Sequence, residues 1–277
     1  MKALWYSEKA PTKACISAAG WVRVILRSAI WVPMALAGLL LLLLVRVFER
    51  PVWGQYRPWT PYITQAVCRT TLLILGIRFE TKGDLMREKG AVVANHSTWV
   101  DIFTLNARKR IYFVAKSEVA SWPFIGWLAR ATGTVFIRRD ARDARKQKEV
   151  FEARLKTGHK LLFFPEGTST DGLRVLTFKS TLFAAFFTPE LQKNLWIQPV
   201  SVSYTQPTGE EPRFYGWWGD MNFTKHVMKV LASGGRGSVL VTYHLPLKVS
   251  DFADRKALAM ACEQAVLSGM PEGTLNA

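Results

Sequence analysis

Cysteine is scarce in this 277-residue chain: Cys15, Cys68 and Cys262 lie far apart, and no two of them form a CxxC pair. That spacing implies neither a disulfide framework nor a zinc site, and it fits a reducing compartment. No GxSxG turn occurs and no reactive-looking cysteine stands near a candidate base, so the chain has no motif for a nucleophile of its own. Acidic residues are few as well, with 21 Asp plus Glu against 37 Lys plus Arg and a formal charge of +16. Such a surplus attracts a polyanion, either nucleic acid or an anionic membrane surface. No nucleic-acid recognition module accompanies it. Internal repeats and low-complexity linkers are also lacking, and the length suits one large domain or two small ones.

What the chain has in quantity is apolar surface: 49% of its residues are hydrophobic and 11 are Trp. Ser28 to Val45 runs for 18 residues without a charge, bracketed by Arg27 and Arg46. As a helix it would be about 27 Å long, at the lower limit for crossing a bilayer core. A signal peptide and a buried core helix are the alternatives to a membrane anchor, but no small-residue cleavage site follows the run. Both flanks are basic, with Arg23 and Arg27 on one side and Arg46, Arg50 and Arg57 on the other. The positive-inside rule therefore gives no vote for crossing. Two basic flanks suit a segment that dips into one leaflet and returns, with Pro33 and Gly38 permitting a bend. Residues 59–77 form a second apolar stretch, broken only by Arg69, expected to pack on the first as an interfacial helix pair. Residues 1–77 are thus expected to anchor the chain and 78–277 to form one catalytic domain.

After Gly76 the pattern changes to short apolar runs alternating with helical stretches. Strands are expected at IRFETKG, at Gly90 to Asn95, at Ile111 to Lys116, at Gly133 to Arg139, at HKLLFFPEGT, at Leu195 to Tyr204 and at Gly237 to Leu247. Helices are expected at STWVDIFTLNAR with Ser97 or Thr98 as N-cap, at WPFIGWLARAT, at Asp140 to Gly158 with a solvated charged face, and from Asp254 onward. This alternation implies an α/β fold, a mixed, mostly parallel sheet flanked by helices and preceded by the membrane-embedded pair.

ANHSTWVD places His96 five residues before Asp101. On one continuous helix positions i and i+5 diverge by about 140°. The pair works better with His96 at the end of the strand and Asp101 in the first or second helical turn, pointing back. A carboxylate would then hold one ring nitrogen's N–H while the other takes a proton. With no nucleophile motif in the chain, such a base would activate a hydroxyl of the substrate. The bland alternative is a surface histidine beside a helix-terminal aspartate. FPEGTST adds Glu166 and Thr168 at another strand end, where ligands gather in open α/β sheets, and GTVFIRR ends in Arg138 and Arg139, suited to an anion.

Taken together, these blocks resemble the PlsC-like glycerolipid acyltransferase family. NHxxxxD appears as Asn95-His96 through Asp101, GxxFIxR as Gly133, Phe136 and the following arginines, FPEGT as Phe164, Pro165, Glu166, Gly167 and Thr168, and the apolar strand with a proline as Ile197 to Val200 with Pro199. The stretch between the first two, with Lys116, Glu118, Pro123 and Gly126, also looks familial. The resemblance covers about residues 90–205. It implies that His96 takes a proton from a lysolipid hydroxyl, that Asp101 orients His96, and that the hydroxyl attacks the thioester of acyl-carrier protein or acyl-CoA. It implies that Arg139 and the Glu166 to Ser169 turn position the acceptor, that no metal or bound cofactor is needed, and that the catalytic domain faces the cytoplasm on a bacterial inner membrane. One departure stands out: Ser169 takes the place of the arginine that follows FPEGT in the common lysophosphatidate enzymes. With the DG after it and FYGWWGDM further on, this resembles the bacterial branch that acylates lyso-ornithine lipid and related lyso-aminolipids. Arg174 is a candidate to replace the missing arginine. Lysophosphatidic acid as acceptor and a non-catalytic membrane scaffold are the rival readings.

Overall fold

The computed structural model describes residues 4–8, 10–11, 15–137 and 144–276. Helix α1 spans Ala18–Trp53, and helix α2 spans Thr60–Ile74. At 36 residues α1 is about 54 Å long, twice the uncharged run. Its start is set by Ser17, whose side chain accepts from the Gly20 N–H. The helix runs on through Pro33 and Gly38. Gly38 serves close packing, since a Cβ there would stand 2.4 Å from Val67 Cγ2 on α2. The expected bend therefore gives way to a tight helix pair. Glu49, fully buried, ties the pair at its turn: its carboxylate accepts from the Trp59 and Thr60 amides and the Thr60 hydroxyl, and Arg46 donates to it. It supplies from a distance the cap that Trp59, at the N-cap position, lacks.

Only Gly20, Val24, Leu42 and Glu49 are buried along α1, while Leu36, Leu40, Leu41, Leu43 and Leu44 are exposed. An apolar face of this extent marks a membrane contact. Both ends of the helix nonetheless touch the rest of the protein. Near its start, Arg23 donates to Ala232 O, and Arg27 to Leu231 O and Ser233 O. Near its end, the turn after it reaches helix α4 (Ile125–Thr132) through Arg57, which donates to Ala131 O. Between them Trp31 packs on Trp99 and Phe103 and donates to Thr71 Oγ1.

The sheet contains β1 (Ile77–Lys82), β2 (Gly90–Ala94), β3 (Tyr112–Lys116), β4 (Val135–Ile137), β5 (Leu161–Phe163), β7 (Trp196–Thr205), β8 (Gly237–Tyr243) and β9 (Leu247–Lys248). Its order is β1-β8-β7-β2-β5-β3-β4, with β9 beside β7. All pairings are parallel except β7 with β8 and with β9. Strand β2 is buried at every residue, which its GAVVA composition suits. A separate two-stranded ribbon joins β6 (Arg174–Val175) to β10 (Leu275–Asn276). Helices α3 (Asp101–Asn106), α4 (Ile125–Thr132), α5 (Ala144–Lys156), α6 (Pro189–Gln192), α7 (Phe223–Ala232) and α8 (Arg255–Ser268) flank the sheet. Two apolar cores result. One joins α2, β1, β8 and α7; the other packs β5 and Phe183 and Phe186 against α8.

Several boundaries differ from expectation. The helix after His96 starts at Asp101, and neither Ser97 nor Thr98 caps it; the reason is the reversed hydrogen bonding described below. The strand expected through Leu247 breaks after Tyr243 and resumes as β9. Helix α7 and the β6–β10 ribbon are not among the expected elements. Asp254 caps α8 as expected, accepting from Lys256 and Ala257. Gly158 closes α5 with φ +85°. Asp140, Arg138 and Arg139 lie outside the described residues.

Candidate active site

Strands β2 and β5 are parallel neighbours, so the turns that leave them emerge at the same edge of the sheet. His96 follows β2, and Phe164 to Gly167 follow β5. This is how two blocks 70 residues apart in sequence come to share hydrogen bonds.

His96 Nδ1 lies 2.7 Å from Asp101 Oδ2. The same oxygen accepts from the Ser97 and Thr98 amides, at 2.9 and 3.1 Å. Instead of these residues capping the helix, Asp101 gathers their amides and bends the chain back over itself. Its other oxygen, Oδ1, accepts from the Tyr204 hydroxyl at 2.7 Å. Asp101 is fully buried, while the His96 side chain keeps 20% of its surface. A carboxylate that already accepts three hydrogen bonds requires the ring to donate from Nδ1. The basic lone pair is then on Nε2.

The imidazole is clamped on one face by Phe164, with ring centroids 4.0 Å apart and planes 12° from parallel. Behind it stands Glu166, 1% exposed. One Glu166 oxygen accepts from the His96 amide at 2.9 Å and the other from the Leu176 amide at 3.1 Å. Burial pushes this carboxyl well above the usual carboxylate range, against the pull of those two amides and with a further push from the Asp101 charge. Gly167 turns the chain with φ +73°, and Thr170 N donates back to His96 O at 2.9 Å.

Asn95 is buried and acts as a side-chain continuation of the sheet: its amide donates to Val202 O and accepts from Val202 N. Pro165 is buried and its carbonyl accepts from Lys179 N. Thr168 and Ser169 continue the turn half-buried, and Lys116 ends β3 half-buried. Pro199 lies within β7 opposite Val93. Phe136 sits half-buried in β4, whereas Gly133 enters β4 at the other edge of the sheet, with φ +85°. Arg139, expected beside the acceptor, lies outside the described residues. Arg174, the candidate to replace the arginine missing at Ser169, is already engaged: its guanidinium pairs with both Asp171 oxygens at 3.2 Å and stacks over Trp5.

The residue that sequence reasoning missed is Tyr204. Its phenol, buried and facing Asp101, is held well above its usual value by burial first and by the Asp101 charge second, so it remains a donor. Thr104 Oγ1 is 3.0 Å from the same hydroxyl. No spacing signal links Tyr204 to Asp101, 103 residues away.

The chain is similar to several known proteins. A profile described as Acyltransferase matches residues 76–203. A lyso-ornithine lipid O-acyltransferase of Rhodobacter capsulatus is 58% identical over 267 residues, covering 96% of this chain and 97% of the relative. A 1-acyl-sn-glycerol-3-phosphate acyltransferase of Neisseria gonorrhoeae is 36% identical over 120 residues, 43% of this chain and 46% of that protein. The crystal structure of the 1-acyl-sn-glycerophosphate acyltransferase PlsC from Thermotoga maritima superposes with a TM-score of 0.63 at 19% identity, covering 90% of this chain and 95% of that one, a likeness of fold.

Proposed function

Since the chain belongs to the acyltransferase family, we propose that it moves a fatty acyl group from a thioester to the hydroxyl of a lyso-ornithine lipid. The observation that carries the chemistry is the 2.7 Å contact of His96 Nδ1 with Asp101. His96 Nε2 takes the proton of the acceptor hydroxyl as its oxygen attacks the thioester carbonyl carbon. The tetrahedral intermediate collapses, the carbon–sulfur bond breaks, and the leaving thiolate takes the proton back from Nε2. Asp101 steadies the imidazolium formed in between. Acyl-carrier protein or coenzyme A carries the acyl group. Glu166 acts as a positioning residue, since its carboxylate holds the backbone of both turns.

The acceptor reading is supported by the near full-length relative at 58% identity and by Ser169. A phosphate monoester is best held by an arginine fork, and serine offers one neutral donor there. The pairing of Arg174 with Asp171 removes one replacement. A lyso-aminolipid headgroup needs less positive charge. Residues 1–77 serve as the anchor. With both ends of α1 held on the catalytic region, α1 lies across one face of it and enters a single leaflet sideways, on the cytoplasmic side of a bacterial inner membrane.

The test is kcat/KM for lyso-ornithine lipid against lysophosphatidic acid with one acyl donor, followed by Ser169→Arg. Lyso-ornithine lipid is expected to be the better acceptor, and Ser169→Arg to improve lysophosphatidic acid about tenfold, the worth of one charge-assisted hydrogen bond. A wild-type preference for lysophosphatidic acid would overturn the acceptor and leave the acyl transfer.

A further inference from the structure

Three arginines and a histidine converge where strands β3, β4 and β5 begin. In a parallel sheet this is the edge opposite His96. Arg154 Nη2 donates to Gly133 O at 2.7 Å, and its guanidinium lies 4.7 Å over the Tyr112 ring. Arg57, from the turn between α1 and α2, presses on the same glycine: a Cβ at Gly133 would stand 3.0 Å from Arg57 Cζ. The motif glycine thus opens room for a guanidinium. His159 stacks on the other part of this group, its ring 4.2 Å from that of Tyr112. Arg46 adds charge from the end of α1, although its own donors already reach Glu49, Gly54 O and Tyr56 O.

The charges here are poorly balanced. Burial lowers Arg57 from its usual value, and the neighbouring Arg46 lowers it further. Burial and then Arg57 bring Arg154 down to about 10. Burial, Arg154 and Arg57 together push His159 to about 3. The nearby carboxylate, Glu49, already caps α2 and pairs with Arg46. The carbonyls at the end of α4 account for one hydrogen bond from each of Arg57 and Arg154, and a helix C-terminus favours one cation, not two. Polar atoms are also left over. Arg154 Nε and both ring nitrogens of His159 are buried without a hydrogen-bond partner, although the Gln55 carbonyl lies near the histidine. Buried donors of this kind call for an acceptor.

We propose that this group is a binding site for one phosphate, separate from the acyl-transfer centre, formed by Arg57, Arg154 and His159 with the charge of Arg46 beside them. The guanidinium groups of Arg57 and Arg154, with the unpaired Arg154 Nε and a His159 ring nitrogen, match a phosphate's oxygens and charge. The phosphate comes from an anionic lipid headgroup or from the pantetheine arm of the acyl donor. The surroundings favour the lipid: Trp53, Tyr56 and Trp59 are exposed around the same turn, the residue types that sit at headgroup depth. A headgroup held there would clamp the helix turn onto the catalytic region at the far end from His96.

The experiment uses the full chain in detergent and reads its melting temperature against four probes: dioctanoyl phosphatidylglycerol, dioctanoylglycerol, phosphopantetheine and inorganic phosphate. Phosphatidylglycerol is expected to raise Tm at lower concentration than the phosphate-free diacylglycerol. Arg154→Gln should weaken that response at least about tenfold, as expected for a lost charge-assisted contact. His159→Phe keeps the ring stack on Tyr112 and should also weaken it, which preserves the comparison if Arg154→Gln does not fold. A response to phosphopantetheine or inorganic phosphate instead, still lost in these variants, keeps the site and assigns its phosphate to the donor or to free phosphate. Equal responses to phosphatidylglycerol and diacylglycerol with none to the other two, or phosphate responses unchanged in folded variants, overturn the site.

Discussion

The turn after β2 and the turn after β5 each bring one buried carboxylate to His96, and the two are held differently. Asp101 meets the imidazole itself and collects the Ser97 and Thr98 amides and the Tyr204 hydroxyl. Glu166 meets only backbone, the amides of His96 and Leu176. Similar burial therefore serves different ends. A carboxylate against a ring nitrogen chooses the tautomer and supports a developing charge. A carboxylate against two amides fixes the path of two loops and so the distance between them. The comparison teaches that proximity to a base does not by itself make a group part of the chemistry; the atom it touches does.

The strongest way to break this comparison is at the base. His96→Ala is expected to lower kcat by on the order of 10²–10⁴ while Tm and membrane association stay near wild type. Near-normal turnover would remove the base assignment altogether. Asp101→Asn should come close behind, also on the order of 10²–10⁴, because an amide cannot accept from the same set of donors and the tautomer is no longer held. Its kcat should fall more than its KM rises, as read from full saturation curves with one donor.

Smaller changes sharpen the contrast. Tyr204→Phe takes one hydroxyl from Asp101, and kcat is expected to drop about tenfold or less with Tm little moved. Glu166→Gln offers an amide nitrogen to one of two backbone N–H groups, so a buried donor loses its acceptor. Tm should fall by the equivalent of about 1–3 kcal/mol, and kcat by less than in Asp101→Asn. If kcat collapses in Glu166→Gln while Tm holds, Glu166 takes part in the reaction and the distinction between the two carboxylates fails.

A further effect is read in pH and needs no variant. Burial holds His159 at about 3 and His226 at about 4, below the ordinary 6.5, so the unfolded chain binds protons that the folded chain refuses. Stability from these rings is fully present above about 6.5 and is lost as pH falls toward 4, with a slope of up to about 1.4 kcal/mol per pH unit for each. Melts at pH 5 should therefore lie below melts at pH 7.5. A Tm that rises on acidification would contradict the buried neutral rings.

Much of the site was legible because its signals are local. His96 and Asp101 lie five residues apart, so their spacing already carries their relation, and GAVVA before them is typical of a buried strand. The uncharged run to Val45 and the alternation of strands and helices are likewise properties of neighbours in sequence. Helix α7, ten amphipathic residues behind an Asn222 cap, was legible but passed over, whereas the two-residue strands of the β6–β10 ribbon are too short to carry a pattern. Local composition also misjudged Arg154, read as part of a solvated face on α5, because its burial depends on Gly133 and Tyr112.

From the sequence alone came the pairing of His96 with Asp101, the long apolar N-terminal helix, the mostly parallel α/β layer and the serine where an arginine is common. Only the tertiary structure decided that Tyr204 serves Asp101, that Glu166 holds backbone, that Arg174 belongs to Asp171, and that Arg57 and Arg154 meet over one glycine. The physical reason is register. Parallel strands β2, β5 and β7 bring the ends of distant segments to one edge, and which side chains face each other there depends on how far each strand runs before it turns. Pairing over 70 to 103 residues leaves no period in the chain for sequence reading to detect.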